Sequence, residues 1–265
     1  MTSMICNEQN FMGHAIDRVS VELSADATWL AEERMPLGPW QLRANQGYTG
    51  RANSVRTACA EATECSWLEL IAQAEAFYRQ RNLPPIFQIS PATMPRDLDE
   101  ILIGRGYGIS HTSEVWSADP TEVRKKTIQP GIPGNVIEQD SPTAVWLGCA
   151  SEEHAGQPSL RDGIYHRVPS PRVFAMAVEE HEPVARVLGA VHGGIGWIYR
   201  MATAPDHKRR GHATRLLNFL AKWTLANGGK TISLQVMAEN VGARKLYEMA
   251  GFRKLYDYHY RVRRS

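Results

Sequence analysis

Cysteine is scarce in this chain: four residues in 265, Cys6, Cys59, Cys65 and Cys149. None stands in a Cys-x-x-Cys pair, and no His/Cys grouping has zinc-like spacing, so neither a disulfide framework nor a structural metal is expected. Long apolar runs are missing too; nothing approaches the roughly 20 residues that span a bilayer. The opening MTSMICNEQNFMGH has no basic region followed by an apolar stretch, which argues against a secretory signal. Excess charge is the third absence. A formal net charge of +2 gives no bulk attraction to nucleic acid or to an anionic membrane. A polyanionic ligand would have to meet a local basic cluster. A cytoplasmic protein with no nucleic-acid or membrane partner is the expectation.

The composition that remains is ordinary for a globular chain, with 43% hydrophobic and 22% charged residues, and the length allows one large domain or two modest ones. Trp40 to Asn45 and Tyr48 to Val55 read as two strands turned by Gln46-Gly47. Trp67, Leu70, Ile71, Ala74, Phe77 and Tyr78 recur at helical spacing, predicting a helix over 66–81. A strand at 86–90, a helix around Leu98 to Leu102 closed by Gly106, and a strand at 113–117 follow. Residues 119–134 hold three prolines and two glycines among charges, the composition of a linker. Beyond it, helices are expected from Ser141 to about Ala155 and over 159–167. Strands at 173–178, 184–191 and 195–203 come next. A helix with Ala213, Leu216, Leu217, Leu220 and Ala221 on one face ends at Asn227-Gly228-Gly229. A strand at 231–237, a helix at 241–250 stopped by Gly251, and aromatic-rich 252–262 close the chain.

Two segments carry chemistry. In the first, Met201 to Thr214, the bases Lys208, Arg209 and Arg210 lie beside Gly211 just before a helix begins. A helix start exposes unpaired N–H groups and the positive end of the helix dipole. Gly211 and Ala213 let the backbone approach closely, and the bases add charge, a combination suited to a pyrophosphate. A solvated basic loop has the same composition. In the second, Leu234-x-Val236-x-x-x-Asn240-x-x-Ala243-x-x-Leu246-Tyr247-x-x-x-Gly251-Phe252, Tyr247 shares a helix face with Ala243, Leu246 and Ala250 and so faces the sheet. A phenol with a reference pKa of about 10 is protonated at neutral pH and can give its proton to a departing thiolate. A packing aromatic at Tyr247 and a helix cap at Asn240 are the plainer readings of the same residues.

Together, and in this order, the two segments resemble the GNAT N-acetyltransferase superfamily over about residues 133–265. The resemblance implies that Lys208-Arg209-Arg210-Gly211-His212-Ala213 stands for the family's Gln/Arg-x-x-Gly-x-Gly/Ala loop, which cradles the coenzyme A pyrophosphate. Lys at the first position keeps the charge and loses the planar fork of Arg. It further implies that Met201, Ala202 and Thr203 pair through their backbone with the pantetheine arm and that Thr214 belongs to the cradle's first helical turn. Asn240 matches the pantetheine-contacting Asn, and Tyr247 the general acid. Acetyl-CoA would be the co-substrate, with no metal. The base glutamate that some relatives carry on the strand before the loop is replaced here by Trp197, Ile198, Tyr199 and Arg200. Glu152, Glu153, His154 and His166 could line the acceptor site, or ordered water could take the proton.

The first half echoes the second in element order, with Gly106-Tyr107 against Gly251-Phe252, which suggests a tandem duplication. Its chemistry is not copied. The loop Ala60-Glu61-Ala62-Thr63-Glu64-Cys65-Ser66 is acidic, Leu102 falls where Tyr247 has its counterpart, and Pro95 where Asn240 has its own. The polar stretches from Gly47 to Ser54 and from Gln88 to Ser90 could face the acceptor pocket. The expected fold is α/β (α+β): two GNAT-like units, each a mixed, largely antiparallel sheet flanked by helices. The expected division is a tail at 1–20, a degenerate unit at 21–119, a linker at 120–134 and a catalytic unit at 135–265. Acetyl transfer to a small-molecule amine by a monomer or homodimer is the leading expectation; a non-catalytic acyl-CoA sensor is the alternative.

Overall fold

The computed structural model describes residues 10–11, 14–15, 17–60, 65–128, 135–150 and 158–263. Two short strands, β1 (Asn10–Phe11) and β2 (His14–Ala15), pair with each other. Helix α1 (Arg18–Thr28) follows, then β3 (Glu33–Leu37), β4 (Trp40–Ala44), a 3-10 turn at Arg51–Asn53 and β5 (Val55–Arg56). Helix α2 (Trp67–Arg79), β6 (Ile86–Ile89), α3 (Leu98–Gly104) and β7 (Gly108–Ala118) complete the first half. Helix α4 (Pro120–Lys126), β8 (Asn135–Gln139), α5 (Ala144–Gly148) and α6 (Pro158–Arg167) lead into the second. That half continues with β9 (Arg172–Glu179), β10 (Glu182–His192), β11 (Ile195–Thr203), α7 (His212–Ala226), β12 (Thr231–Met237), α8 (Val241–Met249) and β13 (Arg253–Val262). The result is the expected mixed α/β architecture.

Eleven strands form one sheet in the order β3-β4-β5-β6-β13-β7-β12-β11-β10-β9-β8. The halves exchange their last strands. β7 runs antiparallel to β12 of the second half, Leu234 opposite Trp116, while β13 runs antiparallel to β6 of the first, Tyr260 opposite Gln88. β7 and β13 also pair with each other at the centre. Each half contains one parallel pair, β5 with β6 and β11 with β12.

Three apolar clusters sit on this sheet. Leu216, Leu217 and Leu220 of α7 pack with Tyr247 of α8 and Ile198, Leu234 and Val236 of the strands on one face. On the other face α1, α5 and α6 bring Val21, Trp29, Trp146 and Tyr165 against Trp197, Tyr199 and Tyr258. Leu70, Ile71, Leu98 and Leu102 of α2 and α3 cover the first half. Gly196 lets α7 sit close, because a Cβ there would collide with the Thr224 side chain.

Four elements depart from the sequence expectation. Helix α1 spans the boundary drawn at residue 20. Its buried positions include Glu22, Ser24, Asp26 and Thr28, so no apolar period marks it, although Asp17 caps it through bonds from the Val19 and Ser20 N–H groups. The strand expected from Tyr48 to Val55 is a loop with a 3-10 turn that becomes a strand only at Val55, and β4 pairs along its length with β3, meeting β5 only at Gln41 opposite Arg56. Asn53 organises that loop: its Oδ1 accepts from Asn45 N and Gly47 N, and its Nδ2 donates to the Tyr48 and Thr49 carbonyls. The segment expected as a linker from 120 begins with helix α4, capped by Asp119 with Pro120 in its first turn. Val123 is buried there, and Asn218 of α7 donates to the Arg124 carbonyl at 3.0 Å. Finally, α5 is capped by Thr143 rather than Ser141 and ends at Gly148; the end expected near Ala155 lies outside the described residues.

Candidate active site

The site begins where two parallel strands part. β11 and β12 are paired from Ile195 opposite Thr231 to Ile198 opposite Leu234, and no further. β12 continues along β7 through Gln235, Val236 and Met237. β11 stays with β10 and carries a bulge, with Tyr199 opposite Leu188 and Ala202 opposite Arg186. Arg200 and Met201 thus share the place facing Val187, and Arg200 adopts φ +54°. A bulge bends and twists its strand, so β11 turns away from β12 and exposes the polar backbone of Met201, Ala202 and Thr203 along its free edge.

The chain leaves β11 through Pro205–His207 and the loop Lys208-Arg209-Arg210-Gly211 before α7 starts at His212. Gly211 takes φ +85° and no side chain caps the helix. The N–H groups of His212, Ala213 and Thr214, which lack intrahelical partners by position, are left for another acceptor. Lys208, Arg209 and Arg210 are exposed around them. The His212 side chain itself is buried, with Nε2 3.5 Å from Glu179. Burial holds its imidazole below the usual range, against the pull of Glu179. Only its backbone faces the loop's opening. Glu179 also accepts from His207 Nδ1 at 2.7 Å and Arg210 at 3.2 Å, the first of which helps keep its carboxyl below the usual range.

On the same face, Tyr247 packs its ring edge-on to Phe252 at 5.7 Å. It belongs to the cluster that holds Ile198 and Val236, and Met201 packs against that cluster. Burial pushes its phenol up to about 12. Asn240 caps α8, its Oδ1 accepting from Ala243 N at 3.1 Å, and its exposed amide N–H groups remain available.

The gap between the strands opens into a cavity of about 360 Å³. Ile198, Tyr199 and Arg200 wall it from β11, and Gln235, Val236 and Met237 from β12. The exchanged strands add Ser113, Tyr258 and Tyr260, and the first half adds Trp29, Thr49, Gly50 and Arg51. The sequence marked the segment that carries Thr49 to Arg51 as a strand whose polar residues could face a pocket; those residues do line the cavity, and Gln88 to Ser90 are not among its lining. The sequence had no signal for Trp29, Tyr258 or Tyr260, which reach the cavity only through long-range pairing. None of the lining residues among those described is a carboxylate or an imidazole. His166 is exposed at the end of α6, and Glu152, Glu153 and His154 lie outside the described residues.

Comparison with known proteins bears on this arrangement. The acetyltransferase (GNAT) family matches residues 137–252. The uncharacterized N-acetyltransferase YobR of Bacillus subtilis (strain 168) is 31% identical over 251 residues, covering 92% of this chain and 98% of that protein. The chain belongs to the GNAT family of N-acetyltransferases. Solved structures share the fold across both halves. A GCN5-related N-acetyltransferase from Kribbella flavida aligns with a TM-score of 0.66 at 15% identity, covering 95% of this chain and 97% of that one. A tandem GNAT protein from the clavulanic acid biosynthesis pathway aligns with a TM-score of 0.61 at 13% identity, covering 79% and 74%. The GNAT match falls on the segment that contains the parting strands, the uncapped helix and Tyr247.

Proposed function

We propose that this GNAT protein transfers the acetyl group of acetyl-CoA to the primary amine of a small molecule held in the cavity between β11 and β12. The observation that carries this reading is the uncapped start of α7, with Gly211 in the left-handed region and three bases beside it. Unpaired N–H groups, a helix dipole and local positive charge suit a diphosphate in a protein with almost no net charge. The free edge of β11 at Met201, Ala202 and Thr203 offers N–H and C=O groups to an amide-containing arm, and the Asn240 amide offers another donor. The same edge can polarise the thioester carbonyl.

In the reaction the neutral amine attacks the thioester carbon, a C–N bond forms and the C–S bond breaks. Tyr247 gives its proton to the leaving sulfur and is reprotonated as the attached nitrogen loses its own proton to water. With no carboxylate or imidazole among the described residues that line the cavity, the amine enters already neutral or loses its proton to water. The division of labour follows: residues 135–265 carry donor binding and chemistry, and residues 21–119 form a degenerate unit that shapes the acceptor cavity. Among the described residues no helix is long and apolar enough to cross a membrane.

Titration calorimetry with coenzyme A tests the donor assignment, with one equivalent bound per chain expected. Two equivalent sites would show that the first half also binds coenzyme A. Thiol release from acetyl-CoA with a panel of amines tests the transfer.

A further inference from the structure

Arg51 lies in the acceptor cavity without a counter-charge. A guanidinium stays ionised at any physiological pH, and a charge taken out of water is costly unless paired. Several other arginines at or below the surface meet a carboxylate. Arg43 meets Asp26 at 2.9 Å, Arg244 meets Glu114 at 3.0 Å, and Arg261 meets Asp99 at 2.7 Å. Arg186, buried without a carboxylate, donates instead to the carbonyls of Trp146 and Leu147 and is not among the residues lining this cavity. Arg51 has no carboxylate within ion-pair distance among the described residues. Its Nη2 donates to Gln235 Oε1, a neutral acceptor that already takes the Tyr258 hydroxyl at 2.8 Å. Its Nε is enclosed and has no acceptor. Glu22, the acid that feels its field, is engaged with Gln88 Nε2 at 2.8 Å.

The guanidinium is also held in place. It lies 5.3 Å from the centre of the Tyr199 ring and 5.8 Å from that of Trp29. Those rings are themselves 5.0 Å apart, and Thr28 fixes the Tyr199 hydroxyl at 2.7 Å. Aromatic faces orient a planar cation without neutralising it. Gln235, to which Arg51 bonds, is the residue just past Leu234, the last on β12 paired with β11. The cation therefore stands at the mouth of the gap through which an acetyl group would be reached. The wall contributed by the first half is thus positive, and its guanidinium can give charge-assisted hydrogen bonds to a carboxylate.

We propose that the acceptor is a small amine bearing a carboxylate, an amino acid or a close analogue, whose carboxylate Arg51 binds while its amine faces the gap. This rests on the acetyl-transfer reading above. Arg51 disfavours polycationic amines in the same cavity, since a second positive charge would stand beside it unpaired. The cavity of about 360 Å³ is of the size that holds a small ligand.

The test compares each proteinogenic L-amino acid with its own carboxamide at matched concentrations of neutral amine, since the amide's α-amine is the weaker base; the pair then differs in the carboxylate charge. Wild-type protein should favour the best amino acid over its amide by about 10- to 100-fold in kcat/KM, the range expected of hydrogen bonds to a charged group. In Arg51→Gln that ratio should collapse toward one. Arg51→Lys should keep part of it, having the charge without the fork. Coenzyme A titration of each variant reports whether the donor site is intact. Equal use of acids and amides by wild type, or a ratio unchanged in Arg51→Gln, overturns the proposal. Should no amine be acetylated, calorimetry of the coenzyme A-loaded protein with the same pairs decides it. Binding of acids over amides that depends on Arg51 supports the carboxylate subsite even if transfer fails; no such binding refutes the subsite while leaving the donor assignment to its own titration.

Discussion

Helices α2 and α7 occupy corresponding places in the two halves, yet their first turns are used in opposite ways. Ser66 caps α2, its hydroxyl accepting from Glu69 N at 3.4 Å, and Glu69 adds negative charge to the first turn. α7 starts from Gly211 with no cap and three bases at its door. One helix satisfies its N-terminal donors from within; the other leaves them open. The same contrast runs through the shorter helices. Leu102 of α3 is wholly buried in the apolar core, where Tyr247 of α8 brings a hydroxyl. The scaffold is common to both halves, and their helix starts differ in the side chains that decorate them.

The sharpest way to break this comparison is Tyr247→Phe. The ring and its packing against Phe252 survive, so the fold should hold by circular dichroism. Loss of a positioned acid should lower kcat by about 10²–10⁴-fold, with coenzyme A affinity little changed. Wild-type turnover in this variant, with transfer rate-limiting, would make Tyr247 equivalent to Leu102, a packing residue. Gly211→Glu comes next. It forces a side chain into the left-handed region and sets a carboxylate before the helix start, which together should weaken coenzyme A binding by about 10²-fold. Titration calorimetry reads this directly, and unchanged affinity in folded protein would move the donor site elsewhere.

The pH profile offers a subtler contrast. An ordinary phenol loses its proton near pH 10. Tyr247, raised to about 12 by burial, keeps the acid form until pH passes that value. Turnover should therefore show no alkaline fall up to about pH 10.5, a region where an unshifted tyrosine would be largely ionised. A decline centred near 10 in stopped-flow thiol release, absent from Tyr247→Phe, would contradict the buried assignment. The smallest effect belongs to the first half. Ser66→Ala removes the cap of α2 and should cost about 1 kcal/mol or less in a denaturant melt, the cap bond being long. Coenzyme A binding should not change, because that helix start is structural.

The strongly periodic part of the chain was legible in its sequence. β9 to β12, α7 and α8 follow their apolar spacing, and Gly211 and Gly251 mark the ends that their positive φ demands. Helix α1 was not, since its inward face carries Glu22, Ser24, Asp26 and Thr28, polar groups that each find a partner far along the chain. Ser24 takes the Trp197 indole at 2.9 Å, and Asp26 takes Arg43. Helix α4 did have a signal, Asp119-Pro120 at its start and Arg124, Lys125 and Lys126 in its last turn, outweighed by the prolines and glycines after it. For the site, the basic loop and the Tyr247 helix are contiguous and could be read directly. The cavity between β11 and β12 was legible only in part: the stretch from Gly47 to Ser54, which carries Arg51, was expected to face a pocket, whereas Trp29 and Tyr258 come from segments far apart in the chain. The loop bearing Arg51 is shaped by one side chain, Asn53, rather than by any repeating pattern.

The exchange of β7 and β13 bears on how the protein comes apart. Cutting the chain near residue 130 would leave the first piece without β13, one of the two neighbours of β6, and the second without β7, one of the two neighbours of β12. Each fragment would carry bare ladder edges at what is now the middle of the sheet, a position prone to mispairing. Heating the intact protein should therefore give a single calorimetric transition whose van't Hoff and measured enthalpies agree, instead of two independent melts. Two separately expressed pieces should be poorly soluble alone and recover a folded state only when mixed.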